Sequence, residues 1–128
     1  MNTTARDIAD MLDGSGKYTY GTDVFVSKEP TKPSNVITIY DTGGGIDMQL
    51  DPAYQYQRTS VQIRIRNISY TEASATAYNV IDILKSIVHE TWNDTVYMFI
   101  DHVNGPTMLE YDENNRAILV LNFNIQRR

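Results

Sequence analysis

Cysteine is absent from the 128 residues, which excludes a disulfide framework and any zinc site built on thiolates. The four lysines are scattered, and the formal net charge is −5. A module that grips nucleic-acid backbones needs clustered cations, so this balance opposes that class and suits a surface that DNA slides past. No apolar run reaches the roughly 20 residues of a membrane span. The polar N-terminus lacks the apolar stretch of a secretory signal, so the acceptor patterns at Asn2, Asn67 and Asn93 are read as chance. Tryptophan and phenylalanine are scarce, with one and three copies, whereas tyrosine occurs nine times. That excess fits either strand-rich surface or protein–protein contact.

What is present centres on 59–88. Thr59 to Asn67 (TSVQIRIRN) places Val61, Ile63 and Ile65 on one side and Gln62, Arg64 and Arg66 on the other. Period two marks a strand with one face on a core. Ser69 and Glu72 then have capping-box spacing, with Ile68 placed to staple over Ala73. Ala73, Ala77, Val80, Ile81, Leu84, Ile87 and Val88 form one apolar stripe on a helix over about 70–88. Burying a large aliphatic contributes roughly 1.5–3 kcal/mol, while ordering each backbone residue costs about 1–2 kcal/mol. The stripe therefore needs the sheet face beside it.

Elsewhere, Thr3 or Thr4 caps a short helix ended by Gly14 and Gly16. Strands are expected at Asp23–Ser27, Asn35–Asp41, Thr95–Val103 (apolar on both faces, with Tyr97 and Phe99 on one) and Ala117–Gln126. Gly105-Pro106 reads as a break, and Asp112–Asn115 as a turn. Residues 41–58 read as a flexible acidic loop holding Gly43, Gly44 and Gly45, with Asp41, Asp47 and Asp51 and no basic residue before position 52. Tyr54 and Tyr56 share one side of the run into the central strand. The expected fold is α+β: a two-layer sandwich with a mixed or mostly antiparallel sheet of about five strands. One long helix packs it, beside a short N-terminal helix, in the order α-β-β-β-α-β-β. No repeat or boundary divides residues 1–128, which read as a single domain.

Catalytic and metal motifs fail on inspection. The triple glycine lacks the Lys-Ser/Thr of a phosphate loop, and Ile46-Asp47-Met48 follows it, so a hinge is the better account. His89 and His102 adjoin Glu90 and Asp101, but a metal site would need them brought together across the fold. Asp112–Asn115 lacks the glycine and distal glutamate of a calcium loop. No serine sits in a G-x-S-x-G elbow. No cofactor and no enzymatic activity are expected. Arg64 and Arg66 suit either a solvated sheet face or a neighbouring subunit.

The order of motifs is itself informative. Asn35–Gly44 (NVITIYDTGG), Val61–Arg66 (VQIRIR) and Tyr70–Ala73 (YTEA) resemble the minor capsid or tail-terminator family of long-tailed bacteriophages. Gly105-Pro106 with Leu109, Asp112–Arg116 (DENNR) and Leu121–Phe123 (LNF) extend the resemblance over nearly the whole chain. One departure is Asn115 where glycine is usual, and Asn tolerates the left-handed backbone required there.

The resemblance implies a structural virion protein of the tail and neck, assembled in the host cytoplasm. Such a protein forms a hexameric ring of identical copies that caps the tail tube and meets the head connector, with DNA passing unbound through it and no membrane involved. Its partners would be itself, the major tail-tube protein and the connector or head-closure protein. Another neck role, head closure or tail completion, is the alternative, ahead of a sheet-faced nucleic-acid binder. On this reading Gln62, Arg64, Arg66, Tyr54, Tyr56, Tyr97 and Phe99 lie at a subunit interface. Asp41, Gly43, Gly44, Gly45, Asp47 and Asp51 lie on a lumen or rim loop.

Overall fold

Alternating side chains make VQIRIR the middle of a sheet whose two faces differ. A computed structural model of the chain describes residues 2–46 and 56–128. In order, the elements are α1 (Thr4–Gly14), β1 (Val24–Val26), β2 (Val36–Ile46), β3 (Gln57–Asn67), α2 (Tyr70–Lys85), β4 (Val88–Trp92), β5 (Thr95–Tyr111) and β6 (Ala117–Arg127). The strands form one sheet in the order β1-β2-β3-β6-β5-β4. The β1–β2 pair is parallel and all others are antiparallel.

Val61, Ile63 and Ile65 of β3 join Ile37 and Ile39 of β2 and Leu119, Leu121, Phe123 and Ile125 of β6 in one buried layer. Against that face, α1 packs on β1, β2 and β3, and α2 packs on β3, β5 and β6. Ala73 and Ala77 are fully buried and bring the first turns of α2 close to the sheet. Thr3 caps α1 by accepting from the Arg6 amide at 3.4 Å. Ser69 caps α2 in the same way, accepting from the Glu72 amide at 3.3 Å.

The two-layer sandwich of about five strands under one long helix is not what forms. Strand takes 49% of the described residues and helix 23%, and the six-stranded sheet curls into a half-barrel carrying two short helices. Three local causes account for the difference. First, α2 stops at Lys85, because the Ser86 amide turns back to the Ile83 carbonyl and the Ile87 amide to the Leu84 carbonyl. Val88, expected on the helix, instead begins β4 and is 55% exposed. Asn93 and Asp94, both at positive φ, then turn β4 into β5 between the paired Trp92 and Thr95, the two-residue hairpin geometry that matches strand twist.

Second, Gly105-Pro106 does not end the strand. β5 runs on to Tyr111 through register shifts on either side of Asn104, and such bulges are where a sheet tolerates proline. Gly105 lies at φ +97°, where a Cβ would overlap the Val120 carbonyl. Third, β2 continues through Gly43, Gly44 and Gly45 to Ile46, with a register shift between Asp41 and Gly43. Much of the expected loop over 41–58 is therefore a hairpin arm, and Asp47, Asp51 and Tyr54 fall outside the described residues. Ile68 is 65% exposed and does not staple α2.

Candidate assembly surfaces

The face of the sheet away from the helices carries Gln62, Arg64 and Arg66 from β3, and their fates differ. Arg66 is buried. Its Nε donates to the Ser34 carbonyl at 3.0 Å, and Nη2 donates to the Pro30 and Pro33 carbonyls at 2.6 and 2.7 Å. Nη1 meets Glu29 Oε1 at 3.1 Å. The segment 28–34 is thereby strapped over the sheet, and Arg116 ties it from the other side by donating to the Thr31 carbonyl at 2.8 Å. Beneath it Thr38 is buried. The Tyr40 hydroxyl is pushed above its ordinary pKa, first by desolvation and then by the Glu29 carboxylate. Arg64 pairs with the other Glu29 oxygen at 3.3 Å and keeps 26% of its side chain exposed.

Tyr97 does not reach a surface either. It is fully buried, and its hydroxyl donates to Asp7 Oδ2 in α1. It also accepts from Arg127 Nη1 at 3.1 Å, and that guanidinium lies 3.6 Å from Asp7. Asn93 Nδ2 donates to Asp7 Oδ1 at 2.6 Å. Desolvation, followed by the hydrogen bond to Asp7, holds the phenol well above its usual range. This charged knot clamps α1 to the start of β5 and the end of β6. Arg66 and Tyr97, both expected at the interface, are thus buried within the single chain and bonded to internal partners.

Gln62 stays on the outer face, in a ladder of amides: Gln62 Nε2 donates to Asn122 Oδ1 at 3.4 Å, and Asn122 Nδ2 to Asn104 Oδ1 at 2.7 Å. Ser60 donates to Asn124 at 3.1 Å one step along. Phe99 is 42% exposed and is paired across strands with exposed Val88. It flanks a shallow cleft lined by Arg58, Ser60, Asp101 and Asn124. Tyr56 packs near the Arg128 guanidinium, 5.8 Å from its ring centre. The sequence reading missed the outward alternation of Asn122, Asn124 and Gln126 on β6, which is visible as period two against Leu121, Phe123 and Ile125.

Asp41 is exposed, but its Oδ1 accepts from the Ala5 amide at 3.0 Å, so it also serves the open N-terminal turn of α1. The Asp112 turn forms with Asn115 at φ 59°. Although desolvation works against it, the Asp112 carboxyl is held below the usual range by hydrogen bonds from Arg116 and Asn114 and by the Arg116 charge. Among the described residues no group of three or more His, Asp and Glu side chains is placed to hold a metal ion. His89 lies in β4, and His102 lies in β5 beyond the stretch that β4 covers.

The family described as bacteriophage tail terminator protein matches residues 11–128. The chain belongs to that family. Tail terminators are structural proteins of the phage tail, so this one is a virion component. No curated protein matches the chain. Among solved structures, a chain of the virion of a native gene transfer agent particle has a TM-score of 0.60 at 12% identity, over 94% of this terminator and 83% of that chain. A second solved protein, without a functional name, has a TM-score of 0.52 at 10% identity, over 94% of this chain and 88% of that one. At these identities the likeness is one of fold.

Proposed function

We propose that the protein closes the tail tube as a homo-oligomeric ring of six copies, ends tube polymerisation and presents its other face to the head connector. The family match over residues 11–128 carries this reading. The outer sheet face supports it, being built of uncharged amides, a largely covered arginine and an apolar pair. Polar and aromatic groups of that kind, with few free charges, compose subunit contacts. Gln62, Arg64, Tyr56 and Phe99 are assigned to that contact on this proposal, with Tyr54 beside them in sequence. Asp41, Gly43 and Gly44, expected at the lumen or rim from the sequence, lie along β2, whereas Gly45, Asp47 and Asp51 are assigned to the lumen or rim. There, acidic charge repels the phosphates of passing DNA. The tail-tube protein and a connector or head-closure protein are the partners, and assembly takes place in the host cytoplasm.

Virus lacking the gene is expected to carry tails of uncontrolled length under the electron microscope. Normal-length tails would instead indicate another neck role, such as head closure. Within the ring, Arg64→Glu is expected to weaken assembly while the monomer stays folded. Unchanged ring formation in native mass spectrometry would remove Arg64 from the contact.

A further inference from the structure

Two stretches of strand edge have no strand partner among the described residues. β1 covers β2 only at Ile37, Thr38 and Ile39, so Tyr40–Ile46 run past it. β4 covers β5 only from Thr95 to Phe99, so Ile100–Tyr111 run past it. Backbone donors and acceptors along such an edge form a ready template for another strand.

The register fixes where these stretches stand. Tyr40 is level with Gln62, Asn122 and Asn104, and Asp41 with Val61, Phe123 and His102. Gly44 is level with Thr59, Ile125 and Ile100. Tyr40–Gly44 and Ile100–Asn104 therefore occupy one height on opposite sides of the sheet. The three successive antiparallel pairings from β2 through β3 and β6 make β5 run opposite to β2. A second copy, related by rotation about an axis along the strands and by no rise, brings its β2 beside the first copy's β5 as an antiparallel pair. A head-to-tail contact without rise is what lets a ring close.

The residues suit this contact. Gly43 has open space where a Cβ would stand. Glycines inside a strand weaken it by roughly 0.5–1 kcal/mol each relative to alanine, and they mark places where another backbone approaches. Neither stretch contains Lys or Arg, and lysine in particular is what proteins set on an edge to block pairing. Thr42 and Val103 are exposed on the two edges. Asp41 of one copy and His102 of the next then stand at equal height. Pro106, which has no N–H to give, bounds the stretch just after Asn104.

We propose that neighbouring copies join by strand addition: Ile100–Asn104 of one β5 pairs antiparallel with Tyr40–Gly44 of the next β2, so that the sheet continues from copy to copy. This rests on the ring reading above and adds a backbone contact at the strand edges to the side-chain contact assigned there.

The chain has no native cysteine, so introduced pairs report cleanly. Thr42→Cys is combined in turn with Asp101→Cys, Val103→Cys or Asn104→Cys, and the assembled protein is oxidised. At least one pair is expected to give a covalent ladder up to the full ring on a denaturing gel, while the single-cysteine controls give none. Rings in native mass spectrometry with no pair cross-linking would overturn strand addition and leave the ring standing. Wild-type protein that stays monomeric, also with tube ends present, would overturn both. Hydrogen exchange on the unmodified protein is the second readout. Ring formation is expected to slow amide exchange within 40–44 and 100–104 by about tenfold or more. Unchanged exchange in both stretches would overturn the proposal whatever the cysteine variants do.

Discussion

Two arginines near strand ends are both buried, and the company they keep differs. Arg66 sends its guanidinium into backbone carbonyls of the 28–34 strap and into a Glu29 carboxylate that is 19% exposed. Arg127 faces Asp7, which has no exposure at all, together with Tyr97, Gln57 and the Asn2 carbonyl. Carbonyls near a surface find water when a donor is removed. A carboxylate sealed under a helix does not. Arg66 thus holds a covering segment in place, whereas Arg127 holds a helix to the sheet.

Three substitutions sharpen that contrast. Arg127→Met leaves Asp7 charged and buried without its cation, a change that costs about 3–5 kcal/mol. Chemical denaturation should show the loss, and Asp7→Asn added to it should recover part of it. Wild-type stability in the single variant Arg127→Met would mean that the knot is not a charged one. Arg66→Met should cost less, about 1–3 kcal/mol, and limited proteolysis should cut first within 28–34. Global unfolding without prior cleavage there would equate the two arginines.

The smallest effect belongs to Asp112→Asn, where the charge is near the surface. The folded carboxyl has a depressed pKa, so its contribution is present above the ordinary value of about 3.9 and is lost as pH falls through the folded value. Wild type and Asp112→Asn should differ at neutral pH and converge in acid. A gap that widens in acid would reverse the assignment.

Several parts of this fold were legible because their signals are local. Alternation in TSVQIRIRN, Ser69 at capping distance from Glu72, and the Asp112–Asn115 turn are each set within a few residues. Other parts had local signals that tertiary context overrode. Ile87 and Val88 continue the helical stripe in sequence, yet the Ser86 turn and the Asn93-Asp94 hairpin draw Val88 into a strand. The Asn-Asp pair was a readable sign of that hairpin. Gly105-Pro106 and the three glycines are breakers by composition, but bulges let β5 and β2 carry them.

The candidate site was less legible than the fold. Nothing near Arg66 in sequence shows that carbonyls more than thirty residues away converge on it, and Tyr97 is aligned with the outward positions only if no bulge intervenes. Register shifts in β5 between Tyr97 and Phe99 break that alignment.

By itself, the sequence determined which positions are apolar and with what period, where helices begin, and which family's order of motifs the chain follows. Those are properties of neighbours along the chain. The number of strands, the curl of the sheet, the burial of Arg66 and Tyr97 and the two edges at one height, unpaired among the described residues, were decided only by the tertiary structure. Each depends on which distant segments meet, and a pairing between strands has no signature in either strand alone.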